Sequence, residues 1–180
     1  SHLNIPSPVL DENQVKDLCE RLVSSNDIKY LELFRERISP GVDNTSRMKA
    51  SFLNSICTGD TFCPLISKKE AVHILGTMQG GYNVAPLVDL LSDPELGSLA
   101  SHVLSNTILI FDYFHDVAQR AEGGCQNALS TIKRWATGTW FTSREVVPEK
   151  ITTTVFKVTG ETNTDDLSPA QDAWSRPDIP

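Results

Sequence analysis

Apolar residues recur every three to four positions through most of this chain, a spacing that admits little except amphipathic α-helices packed on one another. Val15, Leu18, Cys19, Leu22 and Val23 share one helical face, so residues 12–24 predict a first helix, with Asp11 placed to cap it. Leu31, Phe34 and Ile38 predict a second, ending at Pro40-Gly41. Phe52, Leu53, Ile56 and Cys57 predict a third, closed by Gly59. Ser67-Lys-Lys-Glu70 reads as a capping box opening a fourth, with Ala71, Ile74, Leu75 and Met78 inward and Gly80-Gly81 as its stop. Val84, Leu87, Val88 and Leu91 predict a short fifth helix.

Asp93-Pro94 is an N-cap with proline at the first helical position. From there the period runs through Leu96, Ala100, Leu104, Ile108, Phe111 and Phe114 to about Ala121, which predicts the longest helix of the chain, stopped by Gly123-Gly124. A last helix carries Ala128, Ile132 and Trp135 ahead of Trp140-Phe141. Helices joined by short turns and paired at a spacing of roughly 35–40 residues predict an all-α, HEAT-like helical repeat, a solenoid rather than a closed bundle.

The pattern changes at Pro148. Ile151 to Val158 is rich in β-branched residues and alternates as a strand does, and a polar turn follows from Gly160 to Pro169. A lone strand cannot satisfy its backbone. The expected organisation is therefore a helical domain over residues 1–148 and the truncated start of a second domain over 149–180.

Composition bounds the function. Hydrophobic residues at 39% support a packed core, and the net charge of −7 disfavours an autonomous nucleic-acid binder. No stretch approaches the roughly 20 apolar residues of a membrane span, and no signal-peptide pattern opens the chain. Cys19, Cys57, Cys63 and Cys125 contain no Cys-x-x-Cys pair, and reduced thiols in an acidic chain predict a cytoplasmic protein. Cys19 and Cys57 read as small core residues. His73, His102 and His115 do not cluster, and Asp112 with Asp116 reads as a solvated face. Gly76-Thr-Met-Gln-Gly-Gly-Tyr-Asn83 lacks the strand before it and the Lys-Ser/Thr after it that a phosphate cradle needs, so it reads as a helix end and turn. The tail concentrates polar groups instead: Thr162, Asn163, Asp165, Asp166 and Ser168 follow the expected strand, and Arg176 before Pro177 suits a bidentate grip on a carboxylate.

Phe156-Lys-Val-Thr-Gly-Glu-Thr-Asn-Thr-Asp-Asp-Leu-Ser-Pro-Ala170 and Asp172-Ala-Trp-Ser-Arg-Pro-Asp-Ile-Pro180 resemble the start of the swivel domain in the bacterial aconitase B family. Pro40-Gly-Val-Asp43 and Gly76–Asn83 resemble the helical domain that precedes it, so the likeness covers about residues 10–180. The resemblance implies a fragment of an aconitate hydratase, a lyase of the tricarboxylic acid cycle. Such enzymes interconvert citrate and isocitrate through cis-aconitate, and some handle 2-methylcitrate or 2-methylaconitate. It implies a [4Fe-4S] cluster in the full-length parent, held by three cysteines whose motifs this chain does not contain, so no cofactor is expected in the fragment and it is expected to be inactive alone. It implies that Arg176 binds a substrate carboxylate and that Asp165 supports a catalytic histidine from another domain. Asp166 stands where some relatives carry histidine and receives no role. The family's helical domain is associated with homodimerisation, active-site access and messenger-RNA binding by the cluster-free form. The rival expectation is a free-standing helical scaffold or RNA-regulatory module without catalysis.

Overall fold

A computed structural model describes residues 8–107, 110, 112–143, 148–155, 157, 159, 160 and 163. All regular structure among them is helical: α1 (Glu12–Ser24), α2 (Ile28–Glu36), α3 (Asn44–Thr58), α4 (Lys68–Gly76), α5 (Val84–Leu90), α6 (Gly97–Leu104), α7 (Tyr113–Glu122), α8 (Gln126–Ala136) and α9 (Thr139–Thr142).

Side-chain caps start the first four helices. Asp11 accepts from the Gln14 amide at 2.9 Å while the Gln14 side chain accepts from the Asp11 amide at 3.0 Å, a complete capping box. Asp27 and Asp43 cap α2 and α3 by accepting from the amides of Lys29 and Ser46. α3 ends on Gly59 at φ 90°, a left-handed conformation that costs little only without a Cβ. The capping box expected at α4 is half formed. Ser67 Oγ accepts from the Glu70 amide at 3.2 Å, whereas the Glu70 carboxylate turns away to pair with Arg35 of α2.

The apolar stripes assemble one core. Val15 and Leu22 of α1, Phe34 of α2, Leu53 of α3, Leu75 of α4 and Leu104 of α6 are all fully buried. Each such side chain contributes about 1.5–3 kcal/mol relative to exposure. Phe34 also meets Phe52 edge-on, their ring centroids 5.5 Å apart. Packing follows chain order: α1 lies on α2 and α3, α3 on α4, α4 and α5 on α6, and α6 and α7 on α8. A buried polar seam joins α6 to α8, where Thr131 Oγ1 donates to Ser101 Oγ at 2.9 Å and Ser101 Oγ to the Asn127 carbonyl at 3.0 Å. The Trp135 indole adds a bond to the Leu104 carbonyl at 3.2 Å.

Several expectations need correction. The single helix expected from Pro94 to Ala121 is two helices. Asp93 does cap a turn at its start, accepting from the Glu95 and Leu96 amides, but α6 ends at Leu104. Ser105 Oγ and Asn106 Nδ2 both donate to the His102 carbonyl, at 2.7 and 2.9 Å, and Thr107 Oγ1 bonds the Val103 carbonyl. Three consecutive side chains thus compete for the carbonyls that a continuing helix would use. The longest described helix is α3. α4 stops at Gly76, four residues before Gly80, with Met78 buried beyond its end. Val23 is 43% and Phe114 45% exposed, so the apolar faces are narrower than the pattern implied. Phe111 and Ile108 lie outside the described residues.

The strand expected over 151–158 is not formed by its described residues. Residues 151–155 are exposed and take no regular structure, because β-propensity has no partner strand among the described residues to act on. Ile151 and Val155 are 64% and 84% exposed, so they add nothing to the helical core. Deleting residues 151–180 is accordingly expected to leave the cooperative thermal transition of the helical part within about 1 kcal/mol of the intact chain. Circular dichroism melts check this, and loss of helical signal on truncation would contradict it.

Candidate functional site

The two sequence-predicted site residues, Asp165 and Arg176, lie outside the described residues, as do Thr162, Asp166 and Ser168. Two other arrangements in the helical part bring chemistry together.

The first joins the two short segments of the family resemblance. The amides of Gln79 and Gly80 both donate to the Pro40 carbonyl, at 3.0 and 3.1 Å, and Tyr82 Oη donates to the Val42 carbonyl at 3.0 Å. Asn83 is buried at 1% exposure, and its Nδ2 donates to the carbonyls of Leu75 at 2.9 Å and Met78 at 3.1 Å, closing the free end of α4. Asp43 is held the same way on the other side, accepting from Thr45 Oγ1, Ser46 Oγ and the Ser46 amide. Although burial opposes it, these hydrogen bonds hold the Asp43 carboxyl below the usual carboxylate range. The expectation that 76–83 is a helix end and turn is borne out. What it does is lock the α2–α3 and α4–α5 connections to each other.

The second is a cleft of about 360 Å³ between α2, α3 and α4, lined by Arg35, Lys49, Glu70, His73 and Thr77. Lys49 forms its floor at 3% exposure. Its ammonium donates to the Arg35 carbonyl at 3.3 Å and lies 5.3 Å from the centre of the Phe34 ring. Burial, reinforced by the Arg35 guanidinium, pushes Lys49 down to about 8. Sequence reading missed this site. Lys49 sits among the α3 positions that face the core, and a helical-period analysis that counts only apolar residues passes over a lysine there.

The three described histidines do not meet one another. His73 borders the cleft, His102 Nδ1 lies 3.2 Å from Arg134 Nη1, and His115 packs edge-on against Phe114. No group of three His, Cys, Asp or Glu side chains among the described residues could hold a metal ion. The cysteines do not fit an iron–sulfur cluster, whose irons require thiolates from convergent residues. Burial, then the neighbouring Cys63, pushes the Cys19 thiol up to about 12, and burial pushes Cys57 to about 11. Cys63 Sγ donates to the Leu22 carbonyl at 3.3 Å and Cys125 Sγ to the Leu91 carbonyl at 3.4 Å. Cys57 behaves as the small core residue expected, and Cys19 is only half-buried. No described helix is long and apolar enough to cross a membrane.

Comparison with known proteins places these features. Residues 1–141 match the family model described as the aconitate B N-terminal domain, and residues 153–180 match that of the aconitate hydratase 2 N-terminus. Aconitate hydratase B of Pseudomonas aeruginosa is 52% identical over 179 residues, covering 98% of this chain and 20% of the relative. The protein of the same name from Escherichia coli is 49% identical over 178 residues, covering 97% of this chain and 20% of the relative. That of Helicobacter pylori is 41% identical over 182 residues, covering 98% and 21%. The chain therefore spans about a fifth of the length of the curated relatives it matches. With a single domain model matched over most of its residues, the chain belongs to the aconitate B N-terminal domain family.

Proposed function

We propose that this chain is part of an aconitate hydratase, a hydro-lyase that interconverts citrate and isocitrate through cis-aconitate in the cytoplasm. The observation that carries the reading is the order of the two family matches, an aconitate B N-terminal domain followed at once by an aconitate hydratase 2 N-terminus. A free-standing scaffold or RNA-regulatory module has no use for the second segment.

In this reading residues 1–148 are a HEAT-like domain that provides a protein-interaction surface and shapes access to the active site. The chain-order packing of α1 to α8 supports the repeat. Residues 149–180 begin the swivel domain. Homodimerisation and 2-methylaconitate chemistry belong to the same family repertoire, as does messenger-RNA binding, against which the net charge of −7 sets long-range repulsion. The [4Fe-4S] cluster is held by residues other than the four cysteines of this chain. Asp165 positions a catalytic histidine, and Arg176 grips one carboxylate of the substrate with two parallel hydrogen bonds.

The test is Arg176→Lys in the full-length enzyme. Lysine keeps the charge but loses the planar fork. Loss of one charge-assisted hydrogen bond, about 1.5–3 kcal/mol, lowers kcat/KM roughly tenfold to hundredfold, with the cluster's visible absorbance unchanged. Unaltered kinetics with an intact cluster would remove Arg176 from the site. The 180-residue chain alone is expected to show no hydratase activity after incubation with iron and sulfide, and measurable turnover would overturn the assignment of the chemistry to residues outside it.

A further inference from the structure

The cleft between α2, α3 and α4 has a charge imbalance that the protein does not correct. α2 brings the Arg35 guanidinium, α3 the Lys49 ammonium, and α4 the Glu70 carboxylate and the His73 ring. Glu70 is committed to Arg35. No carboxylate among the described residues pairs with Lys49, whose described contacts are one backbone carbonyl and one aromatic face. A lysine buried this deeply is ordinarily paired. Here two cationic side chains, Arg35 and Lys49, face one carboxylate across the cleft, in a chain whose net charge is −7. Arg35 and Glu70 are 48% and 35% exposed and form the solvent-facing mouth of the cleft, with Lys49 beneath them.

We propose that this cleft binds a small oxyanion, a phosphate or a short carboxylate, with Lys49 as its charge-bearing floor and Arg35 and His73 at its rim. An oxyanion supplies the counter-charge Lys49 lacks and accepts from the ammonium protons that the Arg35 carbonyl leaves free. The guanidinium donors of Arg35 not engaged by Glu70 can take a second oxygen of the same ion. The volume of about 360 Å³ accommodates such an ion with bound water and is open enough for exchange. The inference is independent of the catalytic reading, since it concerns the helical part alone.

The experiment follows the Lys49 ε-methylene resonance of the full chain by carbon–proton correlation spectra. Phosphate, malonate and chloride are titrated at constant ionic strength. A saturable shift with phosphate, malonate or both, and not with chloride, is the expected result, and the comparison of the two oxyanions identifies the chemistry preferred. Calorimetry then compares variants: Lys49→Met weakens oxyanion binding at least about tenfold, and Glu70→Gln, which frees Arg35, tightens it several-fold. No shift beyond that of chloride, or undiminished binding by Lys49→Met, would overturn the proposal. The spectral arm needs no substitution, so it stands whatever the stability of either variant.

Discussion

Gly80→Ala is expected to destabilise the helical part by about 3–4 kcal/mol, above the usual 1–3 kcal/mol of an overpacked site. A Cβ built on Gly80 would lie 1.8 Å from the Gly41 carbonyl oxygen, 2.3 Å from its carbon and 2.9 Å from the Val42 nitrogen. All three are backbone atoms, so no rotamer change relieves the clash. One connection would have to move, and with it the bonds from Gln79 and Gly80 to Pro40 and from Tyr82 to Val42. For a domain of this size the loss corresponds to a fall in Tm of about 10 °C. Gly123→Ala is the control: its nearest neighbours would be 3.4 and 3.5 Å away, ordinary contact distances. It should shift stability by less than about 1 kcal/mol. Equal melting of Gly80→Ala and wild type would mean that the 40–43 and 76–83 segments do not meet in solution.

The second large effect is a gain. An unfolded lysine titrates near 10.4, whereas burial lowers Lys49 to about 8 in the folded protein. Between those values the unfolded chain binds more protons, so this group's contribution to stability rises with pH across that window. Below pH 8 the cost of the buried charge is fully present, at most about 3 kcal/mol, from about 1.4 kcal/mol per pK unit. Lys49→Met removes the charge and keeps most of the apolar stem. At pH 7 it is expected to raise stability by about 2 kcal/mol, and the gain should shrink as pH climbs past 8 and be gone near 10.5. Arg35, Glu70 and His73, the charged and titratable groups facing Lys49, are present in both proteins. Cys19 and Cys57 act in the opposite sense: their raised folded values contribute stability below pH 9 that is lost as pH rises toward 11–12. They too are common to both proteins, so the difference in urea midpoints across pH isolates Lys49. A difference that stays constant with pH would refute the assignment.

The short-range features of this fold were legible in the sequence because their causes are local. The period of Val15, Leu18 and Leu22 and the cap at Asp11 need only a few consecutive residues to act, as does the left-handed glycine after α3. The family was legible too, from the residues of the 76–83 turn and of the tail. What escaped was decided by competition between polar groups, near and far along the chain, that an apolar period does not register. Ser105, Asn106 and Thr107 ended α6 inside an unbroken apolar period, because hydroxyls and amides can take helix carbonyls that a count of apolar positions ignores. Glu70 stood where a capping box wants it, yet Arg35, 35 residues earlier, took its carboxylate. Lys49 became the floor of a cleft because α2 and α4 close over the face of α3 that carries it. Burial, and with it the charge imbalance at that floor, is a property of three helices together, and no single stretch of chain contains it.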